Sequence, residues 1–433
     1  MEFIAKLINP GQVAVVFLSA FLICFIGYAI GSIKVKGLCL GTAGVFLFAL
    51  LFGYLCTLPG LADIPLLSKF FMADASDAKI DIFGFLGDMG LVLFVTAVGC
   101  IAGPKFFRNL KKNAKSYVPM GVLIIFMGAL VTALFALIPG IGPAYATGIL
   151  SGALTSTPAF SASKAAVEAM AADQVGMVSL GHAVAYPFGV VGVVLFVQIM
   201  PRLLKANMAK ERELIGAVDE AAKSADAEET AETKGKKKFI ELDEFGFGAF
   251  GLAIVLGLIL GSIKIPLSAD GFSGSCFSLG MTGGPLIMSL ILGHFGRLGR
   301  ISLKVEMGAL KAFREFGLML FLIGAGVEGG VELVEQVSNS EYGVMIIVYG
   351  FIAGVVMTVI PMIVGYLFAK KVCKLALLNN LGSITGGMTS TPALGTLVGV
   401  AGTDDVAAAY ASTYPVALVL IVLASQLINS FML

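Results

Sequence analysis

Two stretches decide how this chain folds: Gly152-Ala153-Leu154-Thr155-Ser156-Thr157-Pro158-Ala159 and Gly386-Gly387-Met388-Thr389-Ser390-Thr391-Pro392-Ala393. Each carries Thr-Ser-Thr-Pro inside an apolar, Gly/Ser/Thr-rich segment, 143–172 and 375–400. Pro158 and Pro392 lack an amide hydrogen, so each ends a helix or opens a new one. The Thr and Ser before each proline are placed to cap the helix that follows. Both segments are apolar enough to enter a membrane, and both are interrupted.

The interruption occurs twice because the whole pattern does. Gly31-Ser32-Ile33-Lys34 returns as Gly261-Ser262-Ile263-Lys264, and Gly90-Leu91-Val92-Leu93-Phe94 as Gly317-Leu318-Met319-Leu320-Phe321. Tyr186-Pro187 returns as Tyr414-Pro415. The four pairs keep one order and a separation of roughly 230 residues, the mark of an internal duplication, which transporter folds commonly use.

Composition sets the class. The chain is 58% hydrophobic and 13% charged, with a mean hydropathy of +0.96. A soluble domain cannot hide that much apolar surface, so the excess faces lipid. The net charge of +1 gives no reason to expect a nucleic-acid partner. The six cysteines are scattered, with no CxxC or Cys/His cluster, which argues against a metal site or a disulfide framework. Apolar runs fall at 11–33, 38–58, 83–103, 117–138 and 176–200, then at 246–263, 279–296, 315–331, 342–368 and 406–431. The first is too long for a signal-peptide core and reads as a span. The expected fold is an all-α integral membrane protein, an inverted repeat with five transmembrane helices and one re-entrant hairpin per half. Residues 1–200 and 245–433 form the halves, and 201–244 a charged, solvated linker.

Basic residues set the expected orientation. Lys105, Arg108, Lys111, Lys112 and Lys115 follow the third span, Arg202, Lys205, Lys210 and Arg212 the fifth, Arg297, Arg300 and Lys304 the seventh, and Lys370, Lys371 and Lys374 the ninth. Acidic residues mark the opposite side: Asp63, Asp74, Asp77 and Asp81 in one half, Glu328, Glu332, Glu335 and Glu341 in the other. Lys264 is an exception. The linker is then cytoplasmic and both termini are outside, provided that the broken segments dip in without crossing. The first dips from outside, the second from the cytoplasm.

A half-helix ending inside the membrane offers unpaired amides and a partial positive charge. Irregular backbone at that depth sits only in protein or beside water. Thr155, Ser156, Thr157 and Pro158, facing Thr389, Ser390, Thr391 and Pro392, therefore suit a small carboxylate. Two facing tips suit the two carboxylates of a dicarboxylate. The bland alternative is that these hydroxyls only satisfy backbone groups where helices break. Gly148/Gly152 and Gly382/Gly386 have the spacing of close helix packing.

Other residues carry a functional and a structural reading. Tyr186 and Tyr414, each before an in-span proline, line a path or mark a kink. His182 is a proton carrier or a hydrogen-bonding partner to a neighbouring helix. Asp88 and Glu315 precede the Gly-Leu-x-Leu-Phe motif; they bind a coupling ion or cap a helix start. Arg314 beside Glu315 makes a local ion pair. No Walker loop, nucleophile elbow or HExxH occurs, so the chain reads as a non-enzyme with no cofactor, driven by gradients or exchange. Whether Na+ or H+ couples is open.

The Thr-Ser-Thr-Pro-Ala pair with the following Tyr-Pro resembles the bacterial aspartate–alanine exchanger family over both membrane halves. Gly152 to Ala159 with His182 to Pro187, and Gly386 to Leu394 with Ala409 to Pro415, match its repeated blocks. The resemblance implies a secondary transporter of aspartate, alanine, glutamate or succinate in a bacterial cytoplasmic membrane, with the Thr-Ser-Thr-Pro regions lining its path. Many family members carry large cytosolic regulatory domains where this chain has only the linker. A sodium- or proton-coupled symporter and a channel are the rival readings, and a homodimer is compatible with either.

Overall fold

The computed structural model describes residues 12–33, 41–58, 77–138, 141–215, 241, 243–266, 276–339 and 343–433. The first half runs α1 (Gln12–Ser32), α2 (Ala43–Cys56), α3 (Asp77–Ala136), α4 (Gly142–Ala153), α5 (Thr157–Met170) and α6 (Val175–Leu203). The second runs α7 (Phe247–Ser262), α8 (Gly280–Phe295), α9 (Met307–Asn339), α10 (Gly343–Lys371), α11 (Leu377–Gly387), α12 (Thr391–Ala401) and α13 (Val406–Met432). Two short antiparallel strand pairs, 265–266 with 276–277 and 297–298 with 301–302, are the strands among the described residues. The protein is all-α.

Among the described residues, six helical stretches are long and apolar enough to cross a membrane: Ala14–Ser32, Ile82–Pro104, Lys115–Ala136, Ala172–Leu203, Met345–Lys371 and Val406–Met432. On α1 the exposed face carries Phe17, Phe21 and Phe25, one helical turn apart. An uncovered aromatic stripe on a helix that is apolar all round belongs against lipid. This is a multi-pass membrane protein.

Three details differ from expectation. The spans expected at 83–103 and 117–138 are joined by continuous helix rather than a loop. The residues between Pro104 and Pro119 are mostly good helix formers, without glycine, and only the prolines interrupt the ladder. The expected spans 38–58, 246–263 and 279–296 appear as helices of 14, 16 and 16 residues. At 1.5 Å per residue these reach only about 21–24 Å, short of a hydrocarbon core of about 30 Å. The linker is not solvated throughout. Residues 208–215 are helical, and Pro201 and Ile215 are buried. Most of the linker, 216–240, and the acidic Asp63 and Asp74 lie outside the described residues. At its far end the half-exposed Asp243 opens α7. The amides of Gly248 and Phe247 donate to its carboxylate at 2.8 and 2.7 Å and hold its pKa below the ordinary value.

Glycine-mediated contacts recur in both halves. A Cβ on Gly31 of α1 would collide with Gly41 before α2, and one on Gly261 of α7 with Gly280 at the start of α8. Gly90 of α3 and Gly317 of α9 meet reciprocally: a Cβ on either would stand 2.6–2.7 Å from the other's carbonyl oxygen. A Cβ on Gly152 would lie 2.6 Å from His182 O, and one on Gly386 2.5 Å from Tyr410 O. The packing role expected for Gly152 and Gly386 is the one found, and it lets backbones approach where no hydrophobic drive exists between helices. One continuous apolar core then runs through both halves, from Val16 to Ile428.

Substituting Gly152→Ala or Gly386→Ala should cost about 1–3 kcal/mol of stability through overpacking, read as a lower unfolding temperature of the detergent-purified protein. At Gly251 an added Cβ would meet nothing within 4 Å, so alanine should be tolerated there without loss. Equal tolerance at all three positions would contradict the packing account.

Candidate functional site

Each Thr-Ser-Thr-Pro stretch forms the point of a helical hairpin, α4–α5 in one half and α11–α12 in the other. The reversal uses one backbone device twice. At the end of α4, Thr155 N donates to Gly152 O and Ser156 N to Ser151 O, at 3.0 and 2.8 Å. At the end of α11, Thr389 N donates to Gly386 O and Ser390 N to Thr385 O, at 3.1 and 3.0 Å. This paired pattern is a Schellman C-cap, which places its turning residue in the left-handed region and normally uses glycine there. Here the residues are Thr155 (φ 52) and Thr389 (φ 50). A β-branched residue in that region costs of order 1–3 kcal/mol and persists only where its surroundings hold it.

The serine that closes each C-cap also begins the next helix. Ser156 Oγ accepts from Ala159 N at 3.3 Å, while Ser390 makes no cap bond and its buried Oγ has no partner among the described residues. Pro158 and Pro392 occupy the first turns of α5 and α12. The two points touch: Thr389 Oγ1 donates to Leu154 O at 2.6 Å. The counterpart hydroxyl, Thr155 Oγ1, is buried without a partner among the described residues. Thr389, Ser390, Thr391 and Pro392 are all buried, whereas Thr157 is exposed. Thr358 of α10 braces the first point, donating to Ala153 O at 3.1 Å.

An aromatic group flanks the first hairpin. His182 Nδ1 lies 2.8 Å from Ser151 Oγ, and its ring stacks on Phe160 at 4.3 Å and leans on Tyr186 at 5.1 Å. Tyr186 meets Phe46 edge-on at 5.5 Å. Lys164 Nζ stands 4.6 Å from the centre of the Phe160 ring. Lys164 is the one cation within either broken segment. Motif reading passed over it because its counterpart is apolar and no repeat marks it. In the second half Tyr410 and Tyr414 stack at 5.3 Å, and Tyr414 hydrogen-bonds Thr282 of α8.

Asp88 and Glu315 do not sit at helix starts, so the capping expectation for them is corrected. They lie well inside α3 and α9, which begin at 77 and 307. Glu315 pairs with Arg314 at 2.8 Å, as expected, but the buried Arg314 also bonds Asp404, which Lys311 approaches at 3.4 Å. Asp404 lies between α12 and α13, a partner that sequence adjacency could not suggest. Neither acid is among the groups gathered at the hairpin points.

An all-helical, multi-pass chain with paired broken helices meeting point to point defines a membrane transport protein. Comparison with known proteins agrees. A family model described as a predicted permease membrane region matches residues 19–202 and again 249–430. The chain belongs to this family, that of the aspartate–alanine exchangers. Similar proteins include uncharacterized transporters of Bacteroides thetaiotaomicron (26% identical, covering 96% of this chain and 98% of the relative) and Rhodopirellula baltica (27%; 93% and 97%). The first alignment runs over 559 positions against 433 residues here, so that relative contains stretches without a counterpart in this chain.

Removing the bonded hydroxyl should matter more than removing the idle one. Thr389→Val should lower stability by about 1 kcal/mol, the net worth of a buried hydrogen bond, and Thr155→Val by clearly less. Thermal unfolding of the two variants measures the difference; equal losses would remove the distinction between the points.

Proposed function

We propose that this protein is a secondary active exchanger of small carboxylates such as aspartate, alanine, glutamate or succinate, working by alternating access in a bacterial cytoplasmic membrane. The contact between the two hairpin points carries this reading. Half-helix N-termini that face each other inside the membrane concentrate partial positive charge and free amides where a carboxylate can use them. Thr155, Ser156, Thr157, Pro158, Thr389, Ser390, Thr391 and Pro392 form the substrate site. Apart from Lys164 and Glu168 the broken segments are uncharged, so an anion meets no fixed carboxylate at the points themselves. Lys164 is the one cation within those segments.

The remaining architecture follows from the same reading. Residues 1–200 and 245–433 are halves of inverted topology, a division supported by the family model matching twice. The stretch 201–244 is the cytoplasmic connector, and both termini lie outside. In each half a scaffold supports a mobile unit bearing the hairpin, and scaffolds pair into a homodimer. A sodium- or proton-coupled symporter is the alternative, with Asp88, Glu315, His182, Tyr186 and Tyr414 as the path-lining groups. The hydrogen bond of His182 to Ser151 and its stacking on Phe160 favour a positioning role for that residue over a proton carrier.

A thermal-shift screen of the purified protein against mono- and dicarboxylates tests the substrate class. A ligand present at about 100 times its Kd should add roughly 2.7 kcal/mol of apparent stability. In proteoliposomes, uptake of that ligand should require a counter-substrate inside. Uptake into empty vesicles driven by a sodium or proton gradient would establish the symporter instead. His182→Gln, which keeps a partner for Ser151, should leave the pH profile of exchange unchanged; a flattened profile would restore the proton-carrier role.

A further inference from the structure

Just after the first membrane half, a short turn of helix reaches the second hairpin. Asn207 Oδ1 accepts from the amides of Ala209 and Lys210 at 3.1 and 3.2 Å and caps the helical residues 208–215. Met208 and Ile215 pack into the main core and anchor that turn. Two consecutive charged side chains diverge from it. Glu211 Oε2 accepts from the amide of Leu377, the first residue of α11, at 2.9 Å. Arg212 Nη1 donates to the carbonyl of Ala401, the last residue of α12, at 3.1 Å.

α11 and α12 are the two arms of one hairpin, so a single dipeptide grips both of its outer ends. Each charge matches the helix end it touches. The carboxylate meets the positive N-terminus of α11, and the guanidinium meets the negative C-terminus of α12. The contacts also fill gaps in the hairpin's own capping. Ala376 precedes α11 and has no side chain able to cap it, and Gly402 closes α12 with φ +65 and nothing to offer but backbone. The first hairpin has no such fitting among the described residues: α4 begins without a side-chain cap, and Ala171 ends α5 with a backbone bond to Val167.

We infer that Glu211 and Arg212 form a clasp by which the connector between the halves sets the position of the second hairpin, and with it the rate of transport. The connector runs directly from this turn into its most charged stretch, 216–240, which carries Glu228, Glu229, Lys234, Lys236, Lys237 and Lys238. The mechanical part stands on the contacts alone; the effect on rate rests on the exchanger reading.

The test uses the full chain and two double variants. Glu211→Gln with Arg212→Gln removes both charges. Glu211→Arg with Arg212→Glu keeps the charges but sets each against the wrong helix end. Amide hydrogen exchange is followed across 377–401 and, for comparison, 142–170. Exchange should rise several-fold in 377–401 and stay level in 142–170, most strongly in the swapped variant. Counterflow should change in maximal rate by several-fold with KM unchanged. Unaltered exchange in 377–401, or an equal rise in both hairpins, would overturn the clasp. A confined rise with unaltered counterflow would overturn its control of rate. If no wild-type counterflow is found with any carboxylate, the exchanger reading fails while hydrogen exchange still decides the clasp. Should the swapped variant not fold, Arg212→Gln alone carries the same comparison.

Discussion

A helix that breaks in buried, apolar surroundings leaves carbonyl groups at one end and amides at the next to be satisfied, and the two hairpin points of this protein answer that problem. At each hairpin point the carbonyls are closed by a Schellman turn, and the following amides begin a new helix within two residues. The turn demands a left-handed residue, and threonine stands there in both halves. Glycine would relieve the strain, but it would also remove the hydroxyl. At Thr389 that hydroxyl ties the second point to Leu154 of the first. At Thr389 strain and contact therefore come together in one residue.

The rest of the fold holds those points in place. Backbone-on-backbone packing at Gly152 against His182 and at Gly386 against Tyr410 seats one arm of each hairpin on α6 and α13. Close approach of this kind is what a membrane interior permits, because lipid offers helices no hydrophobic reason to associate. Thr358 and Ile124 reach the points from α10 and α3. The exposed apolar faces of α1 and α3 turn outward to lipid.

The two hairpin points are alike in backbone and unlike in side-chain bonding. Ser156 caps its helix while Ser390 does not, and Thr389 is bonded while Thr155 is idle. Lys164 and Phe160 of the first hairpin are grouped with His182 of α6; the second is gripped at its base by Glu211 and Arg212.

The chain's apolar runs, its Pro158 and Pro392 breaks and its paired motifs were legible from the sequence, because helix ends and lipid-facing composition are local properties of neighbouring residues. The positions of the hairpin points, the membrane class and the family followed from them. Asp88 and Glu315 were misjudged as helix-start residues because a helix can begin many residues before a charged side chain. The bond from Thr389 to Leu154, the Asp404 partner of Arg314, the stacking around Lys164 and the grip of Glu211 and Arg212 on the second hairpin appeared only in the tertiary structure. Each joins residues far apart in the chain, and no local rule of hydropathy, capping or spacing decides which distant groups will meet.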